Sequence, residues 1–252
     1  MNHTGNTIFI TGGGSGIGRA LAEASQKAGN TVIISGRRKD KLDEVTAANP
    51  GMHSVVLDVE NPASIEAVAK DLIARFPKLN VVINNAGIMV PDGVDKPVND
   101  ALVSSIVATN LLGPIRVTSA FIEHLKAQPE AAVAYLTSGL AYTPLALTAT
   151  YCATKAGIHS FVLSQRYLLK STSVKVIEIA PPYVQTELMG EHQKSDPRAM
   201  PLDEYIAETM QLLNSGAEEV LVERVKPLRN NAGPNEAAFV QQFNDLMSQR
   251  PE

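Results

Sequence analysis

The amino-acid sequence predicts an α/β fold built on a doubly wound parallel sheet of seven strands. Three observations carry that prediction. Short β-rich runs alternate along the chain with longer runs of helical period. Most of the β-rich runs are continuously apolar, the pattern of strands covered on both faces. The first of them leads directly into a glycine-rich turn and a helix, the start of a right-handed crossover unit. A length of 252 residues suits one domain, and 44% apolar residues can fill its core.

Strands are expected at 7–11, 31–35, 54–59, 81–84, 132–137, 174–179 and 220–225, each centred on β-branched or other apolar residues. Helices are expected at 17–28, 39–48, 62–76, about 98–126 and 151–170. Two segments break the alternation. Residues 183–200 carry Gly190, Pro197 and many polar side chains, and are expected to form a substrate loop with some helix. Residues 226–252 combine the polar turn Asn230-Asn231-Ala232-Gly233-Pro234 with a helical pattern over 236–247, an appendage to the same domain. No linker or repeat divides the chain, so 1–252 is expected to be one unit.

Composition narrows the function classes. A net charge of −4 gives no general attraction to nucleic acid or to an anionic membrane. The first strand-like run begins at Thr7, which leaves no room for a secretory leader, and no uninterrupted apolar stretch reaches the roughly 18 residues of a membrane helix. The single Cys152 has no internal disulfide partner and reads as a small buried residue. A cytoplasmic protein is expected. His3, His53, His124, His159 and His192 are scattered without ligand spacing, so no metal site is expected. No Gly-x-Ser-x-Gly elbow surrounds Ser138, which leaves a serine hydrolase unsupported.

The run Thr11-Gly12-Gly13-Gly14-Ser15-Gly16-Ile17-Gly18 joins the first strand to the first helix. Glycines there let the backbone approach a pyrophosphate, and the helix N-terminus supplies unpaired N–H groups. An ordinary flexible turn has the same composition, but strand, turn and helix stand here in the order of a Rossmann dinucleotide site. Gly12, Ser15, Gly16, Ile17 and Gly18 are the candidate contacts. Where NAD would be met by an acid at the end of the second strand, this chain has Arg37 and Arg38. Arginine grips a 2′-phosphate, so NADP(H) is favoured over NAD(H), although two arginines on a solvated loop are common. Asp58 and Val59, closing the third strand, are expected beside the adenine.

Tyr151 and Lys155 stand four apart on one helix, so the ammonium is placed to lower the phenol pKa. That spacing alone is a weak signal. Ser138 follows a buried strand, at the sheet edge where ligands bind in open α/β folds. In combination, residues 11–18, Asp58, Asn84-Asn85-Ala86-Gly87, Asn110, Ser138, Tyr151 and Lys155 resemble the short-chain dehydrogenase/reductase family, in its compact branch. The interval from Ser138 to Tyr151 is also the family's. More narrowly, 34–38, 111–116, 180–187 and 219–229 resemble the DltE-like oxidoreductases, a label that fixes no substrate.

The resemblance implies an oxidoreductase interconverting a carbonyl and an alcohol. Tyr151 would exchange the proton, Lys155 would lower the Tyr151 pKa and hold the nicotinamide ribose, and Ser138 would bind the substrate oxygen. Asn110 would position a relay water, Asn85 would touch the cofactor, and Asn84 would brace the sheet. Val184 and Thr186 would meet the nicotinamide amide. One departure is Pro182, where the family usually has glycine; its fixed φ and missing N–H rule out contacts that need glycine freedom. Ile88, Met89, Leu140, Tyr142, Leu145, Tyr183, Leu188 and Met189 are expected around a small, largely hydrophobic substrate, with 188–200 as a lid. The family pairs its long helices between subunits, which implies a homodimer or homotetramer. The competing reading is a non-catalytic NADP(H)-binding sensor or structural partner.

Overall fold

The computed structural model describes residues 4–231 and 233–248. His3, Ala232 and residues 249–252 lie outside them. Seven parallel strands form one sheet in the order β3-β2-β1-β4-β5-β6-β7. They are β1 (Thr7–Thr11), β2 (Thr31–Gly36), β3 (His53–Val56), β4 (Leu79–Asn84), β5 (Ala131–Leu136), β6 (Val174–Ile179) and β7 (Glu219–Val220). Helices cover both faces, which makes the chain the doubly wound Rossmann-type α/β fold the sequence predicts.

Side chains on the two strand faces feed two cores. On one face Ile8, Ile10, Val32 and Ile34 meet Leu21 of α1 (Gly16–Lys27), Leu42 of α2 (Lys39–Ala48) and Tyr205 of α7 (Leu202–Asn214). On the other, Phe9, Ile33, Val82 and Val133 meet Leu72 of α3 (Pro62–Arg75), Phe121 of α5 (Gly113–Lys126) and Ile158 of α6 (Ala149–Leu169). Alternate residues of one strand serve opposite cores, which explains why the strands read as continuously apolar. Asn61 caps α3 by accepting from the N–H groups of Ala63 and Ser64, with Pro62 next in the first turn.

Beyond shifts of one or two residues at element ends, four differences from the sequence reading matter. β3 ends at Val56, because Asp58 turns the chain by accepting the N–H of Glu60 at 3.0 Å. β7 keeps only two residues, and Glu223–Val225 forms a 3₁₀ turn instead of strand. Helix α7 is absent from the expected elements, although Tyr205, Ile206, Thr209 and Leu213 place a buried stripe on it. The long helix is two, α4 (Asp100–Val107) and α5, joined by a π turn at Ala108–Leu112. By length and composition Asp100–Lys126 passes for a membrane span. Here Val117, Phe121 and Leu125 are core residues against the sheet, which makes it a core helix.

The remaining helices are α8 (Lys226–Asn230) and α9 (Glu236–Ser248). The chain order reverses between β1 and β4, and the C-terminal ends of these strands, with those of β5 and β6, open onto one cleft.

Candidate active site

The cleft has a volume of about 1060 Å³ and runs from the glycine-rich turn to helix α9. At its first end the turn is held by geometry that only glycine satisfies. Gly12 has φ +69°, and a Cβ on Gly18 would lie 2.2 Å from the Asn85 amide nitrogen and 2.4 Å from the Gly12 carbonyl oxygen. Ser15 caps α1 in an extended conformation, with its hydroxyl unspent on the helix. Gly12, Ser15, Gly16, Ile17 and Gly18 all line the cleft.

Arg37 and Arg38 line it as well, joined by Lys41, which the sequence reading did not single out. Arg38 Nη2 lies 3.5 Å from the Ser15 hydroxyl, and Arg37 Nη1 lies 3.6 Å from Glu60 Oε1. The Ser35 hydroxyl on the same wall is buried without a hydrogen-bond partner. A backbone cradle, a helix N-terminus and three cations on one wall fit an anionic dinucleotide. Asp58 and Val59 line the wall too, from the turn after β3 rather than from the strand itself.

Asn85 faces this end, but its amide already donates to the carbonyls of Thr11 at 2.9 Å and Gly12 at 3.1 Å. It braces the turn. Asn84 donates to Thr118 at 2.9 Å, the bracing role expected of it.

At the centre stand Ser138, Tyr151 and Lys155, all cleft-lining and all nearly buried. Ser138 lies just past β5, and its Oγ accepts the N–H of Leu140 at 3.1 Å. Lys155 Nζ lies 5.5 Å from the Tyr151 ring centre and donates to the Leu136 carbonyl at 2.7 Å. Burial pushes the Lys155 ammonium down to about 8. Burial also raises the Tyr151 phenol well above its ordinary value, and the hydrogen bond from Ser138 offsets only part of that. Lys155 is not among the causes of that shift: its ammonium, 5.5 Å from the ring centre, is turned to the Leu136 carbonyl.

Asn110 is not on the cleft wall. It sits 1% exposed in the π turn, where its Oδ1 accepts from Ile88 N at 2.9 Å and its Nδ2 donates to Ile88 O at 2.8 Å. A Cβ on Gly87 would lie 3.3 Å from Asn110 Oδ1 and 3.8 Å from Lys155 Nζ, so the two side chains flank Gly87.

Val184 and Thr186 close the centre from the loop after β6. Val184 pairs with Met200, while Gln193 donates to Val184 O at 2.7 Å and Thr186 Oγ1 at 3.0 Å. Gln193 had no sequence signal beyond a polar loop, yet it fixes both residues. Ile88, Met89, Leu140, Leu145, Tyr183, Leu188 and Met189 line the far end as expected. Tyr142 does not: its hydroxyl turns away from the cleft to Glu178 at 2.9 Å and Glu219 at 3.2 Å.

Two further contributions escaped the sequence. Phe243 and Met247 of α9 pack against the cluster of Met89, Leu145, Tyr151 and Cys152, so the expected appendage is a wall of the site. Their spacing of four marked one helix face, but nothing said what it would face. Asn244 docks that helix, accepting Ala146 N at 2.5 Å and donating to Pro144 O at 3.0 Å. Asp92 caps the helix that carries Tyr151, accepting from Ala149 N at 3.1 Å and Thr150 N at 2.5 Å.

The sequence profile described as short chain dehydrogenase matches residues 6–197. The chain belongs to that family. Among its relatives, the uncharacterized oxidoreductase DltE of Bacillus subtilis is 39% identical over 251 residues, 97% of this chain and 98% of the relative. Sulfoacetaldehyde reductase 2 of Chromohalobacter salexigens is 30% identical over 184 residues, 71% of this chain and 73% of the relative. A short-chain dehydrogenase from Burkholderia cenocepacia in complex with NADP shares the fold at TM-score 0.81 and 24% identity, over 99% of this chain and 100% of that one. One from Burkholderia phymatum in complex with NAD does so at 0.78 and 18%, over 100% and 98%. As a short-chain dehydrogenase the protein is an oxidoreductase, and its cofactor class is NAD(P)(H).

Proposed function

We propose that this short-chain dehydrogenase uses NADP(H) to interconvert a carbonyl and an alcohol on a small, largely hydrophobic substrate. One observation carries the reading: Ser138, Tyr151 and Lys155 wall the same cleft as Arg37 and Arg38. The cofactor, when bound, supplies the hydride. Tyr151 gives its proton to the substrate oxygen, and a raised pKa keeps the phenol charged with that proton at neutral pH. Ser138 donates to the same oxygen, stabilising the charge that develops there. Lys155 holds the ribose and steadies the phenolate left by proton transfer. Asn110 acts through Ile88, fixing the loop that carries Met89.

Arg37, Arg38 and Lys41 support the 2′-phosphate, since no acid follows β2 at 37 or 38 to repel it. Apolar side chains from four separate segments, Met89, Leu145, Met189 and Phe243 among them, support an uncharged substrate body. Leu163, Tyr167 and Leu168 are exposed on α6 and support pairing of two or four copies. We treat the chain as one cytoplasmic domain.

A panel of ketones and aldehydes assayed with NADPH and NADH tests the reading. Turnover of uncharged carbonyls with NADPH preferred is expected. No turnover, or turnover only of highly charged substrates, overturns it. The pH profile supplies a second check. Lys155 acts as a cation, so carbonyl reduction should fall as pH rises through about 8. A rate that stays flat across that value removes the ammonium from the mechanism.

A further inference from the structure

Behind the cleft lies a buried polar cluster that the chemistry above does not use. At its centre is Glu178 of β6, 1% exposed. Its Oε1 accepts from the Thr137 hydroxyl at 2.8 Å and the Tyr142 hydroxyl at 2.9 Å, and His159 Nδ1 lies 2.8 Å from Oε2. Around this core, Glu219 of β7 accepts from Arg229 Nε at 2.7 Å and lies 3.2 Å from the same Tyr142 hydroxyl. The Arg229 guanidinium sits 4.9 Å over the Tyr142 ring, and His159 meets that ring edge-on at 5.0 Å.

Stability does not explain such a cluster. A carboxylate taken into a sheet must recover its hydration from neighbours, and an apolar side chain of similar size commonly serves stability as well. Position does explain it. Thr137 immediately precedes Ser138, and Tyr142 follows it by four, so Glu178 grips the Ser138 segment on both sides. His159 lies eight residues, two helical turns, beyond Tyr151 on α6. One carboxylate therefore ties the segment bearing Ser138 to the helix bearing Tyr151.

We propose that Glu178 is a positioning residue that sets the Ser138 hydroxyl against the Tyr151 phenol. The inference rests on the reading of Ser138 and Tyr151 as the pair that meets the substrate oxygen. All three partners approach Glu178 as donors, the imidazole through Nδ1, and a carboxylate accepts at both oxygens. A glutamine would turn an NH₂ group either to the two hydroxyls, which lose their acceptor, or to the imidazole, which stays in contact only by changing tautomer.

Glu178→Gln is the test, read in four ways: kcat, KM, NADPH dissociation constant and the crystal position of Ser138. A misplacement near 1 Å costs on the order of 10²-fold in rate. We expect kcat to fall about 10- to 100-fold while KM and NADPH affinity change less than about threefold. We also expect the Ser138 oxygen to shift relative to Tyr151 by more than roughly 0.5 Å, the tolerance of a working site. An unchanged kcat with Ser138 in place overturns the proposal, as does a loss of activity matched by equal losses in cofactor affinity and melting temperature. Should Glu178→Gln fail to fold, Tyr142→Phe removes a single donor and must show the same pattern at smaller size. If the wild-type protein reduces no carbonyl, the functional reading fails separately, and the displacement of Ser138 still decides the positioning role.

Discussion

The cofactor end of the cleft is built from backbone and from residues close together in sequence, whereas the substrate end is built from side chains that arrive from four distant segments. Residues 12–18 and 35–41 make most of the first, with Asn85 holding the turn by two carbonyl contacts. Met89, Leu145, Met189 and Phe243 make much of the second, each from a different loop or helix. A backbone cradle tolerates few substitutions, because its shape is set by φ values and close approach. A wall of methionine, leucine and phenylalanine can be recut one side chain at a time. The same cleft thus joins a fixed reagent site to an adjustable substrate site, and Ser138, Tyr151 and Lys155 stand at the seam.

The largest effect should come at the seam. Tyr151→Phe removes the proton and little else, since the ring still packs among Met89, Leu145 and Cys152. A loss of about 10²- to 10⁴-fold in kcat is expected, the ordinary worth of a positioned general acid. NADPH affinity should stay within a few-fold. Retained turnover would remove Tyr151 from the mechanism.

Next in size is a break in the backbone cradle. Gly18→Val puts a branched side chain where even a Cβ meets Asn85 and the Gly12 carbonyl. Overpacking of this kind costs about 1–3 kcal/mol, and here the turn must shift to relieve it, so NADPH should bind roughly 10- to 100-fold more weakly. Titration by cofactor fluorescence would check it, and undiminished affinity would show that the cradle is not the binding element. Arg37→Asp should act more selectively. It removes a cation and places an anion where the 2′-phosphate is proposed, so NADPH should weaken at least about tenfold more than NADH. Equal weakening of both would contradict the phosphate grip and leave Arg37 as the partner of Glu60 alone.

The contrast between the ends also explains what the sequence could tell. The parallel sheet, the glycine-rich turn, Arg37 with Arg38, and the Tyr151/Lys155 pair were legible because each is local: one period, one turn or one helix face suffices. Ser138 was legible through its place after a buried strand. The inward turn of Tyr142 was not, because its hydroxyl is claimed by Glu178 and Glu219, 36 and 77 residues away. Neither was the seat of α9, which depends on Asn244 reaching the backbone about 100 residues earlier. Asp92 likewise caps a helix that begins 57 residues later. Such partners share no pattern along the chain, and only the folded sheet brings them together.

The smallest expected effect probes the adjustable end itself. Phe243→Ala removes one aromatic face from the wall packed against the Tyr151 cluster, on the outermost helix of the site. It leaves Ser138, Lys155 and the whole cofactor end untouched, so NADPH binding should not change. The side chain is partly exposed, and the lost contact falls on substrate rather than on the core. Each methylene of a substrate that loses its apolar partner forfeits up to about 0.8 kcal/mol, or close to fourfold. In a series of straight-chain ketones, kcat/KM should therefore rise less steeply with chain length in the variant, while the shortest ketone is turned over as before. An equal fall for every member of the series would instead mean that α9 orders Tyr151, and would move Phe243 from the adjustable end to the seam.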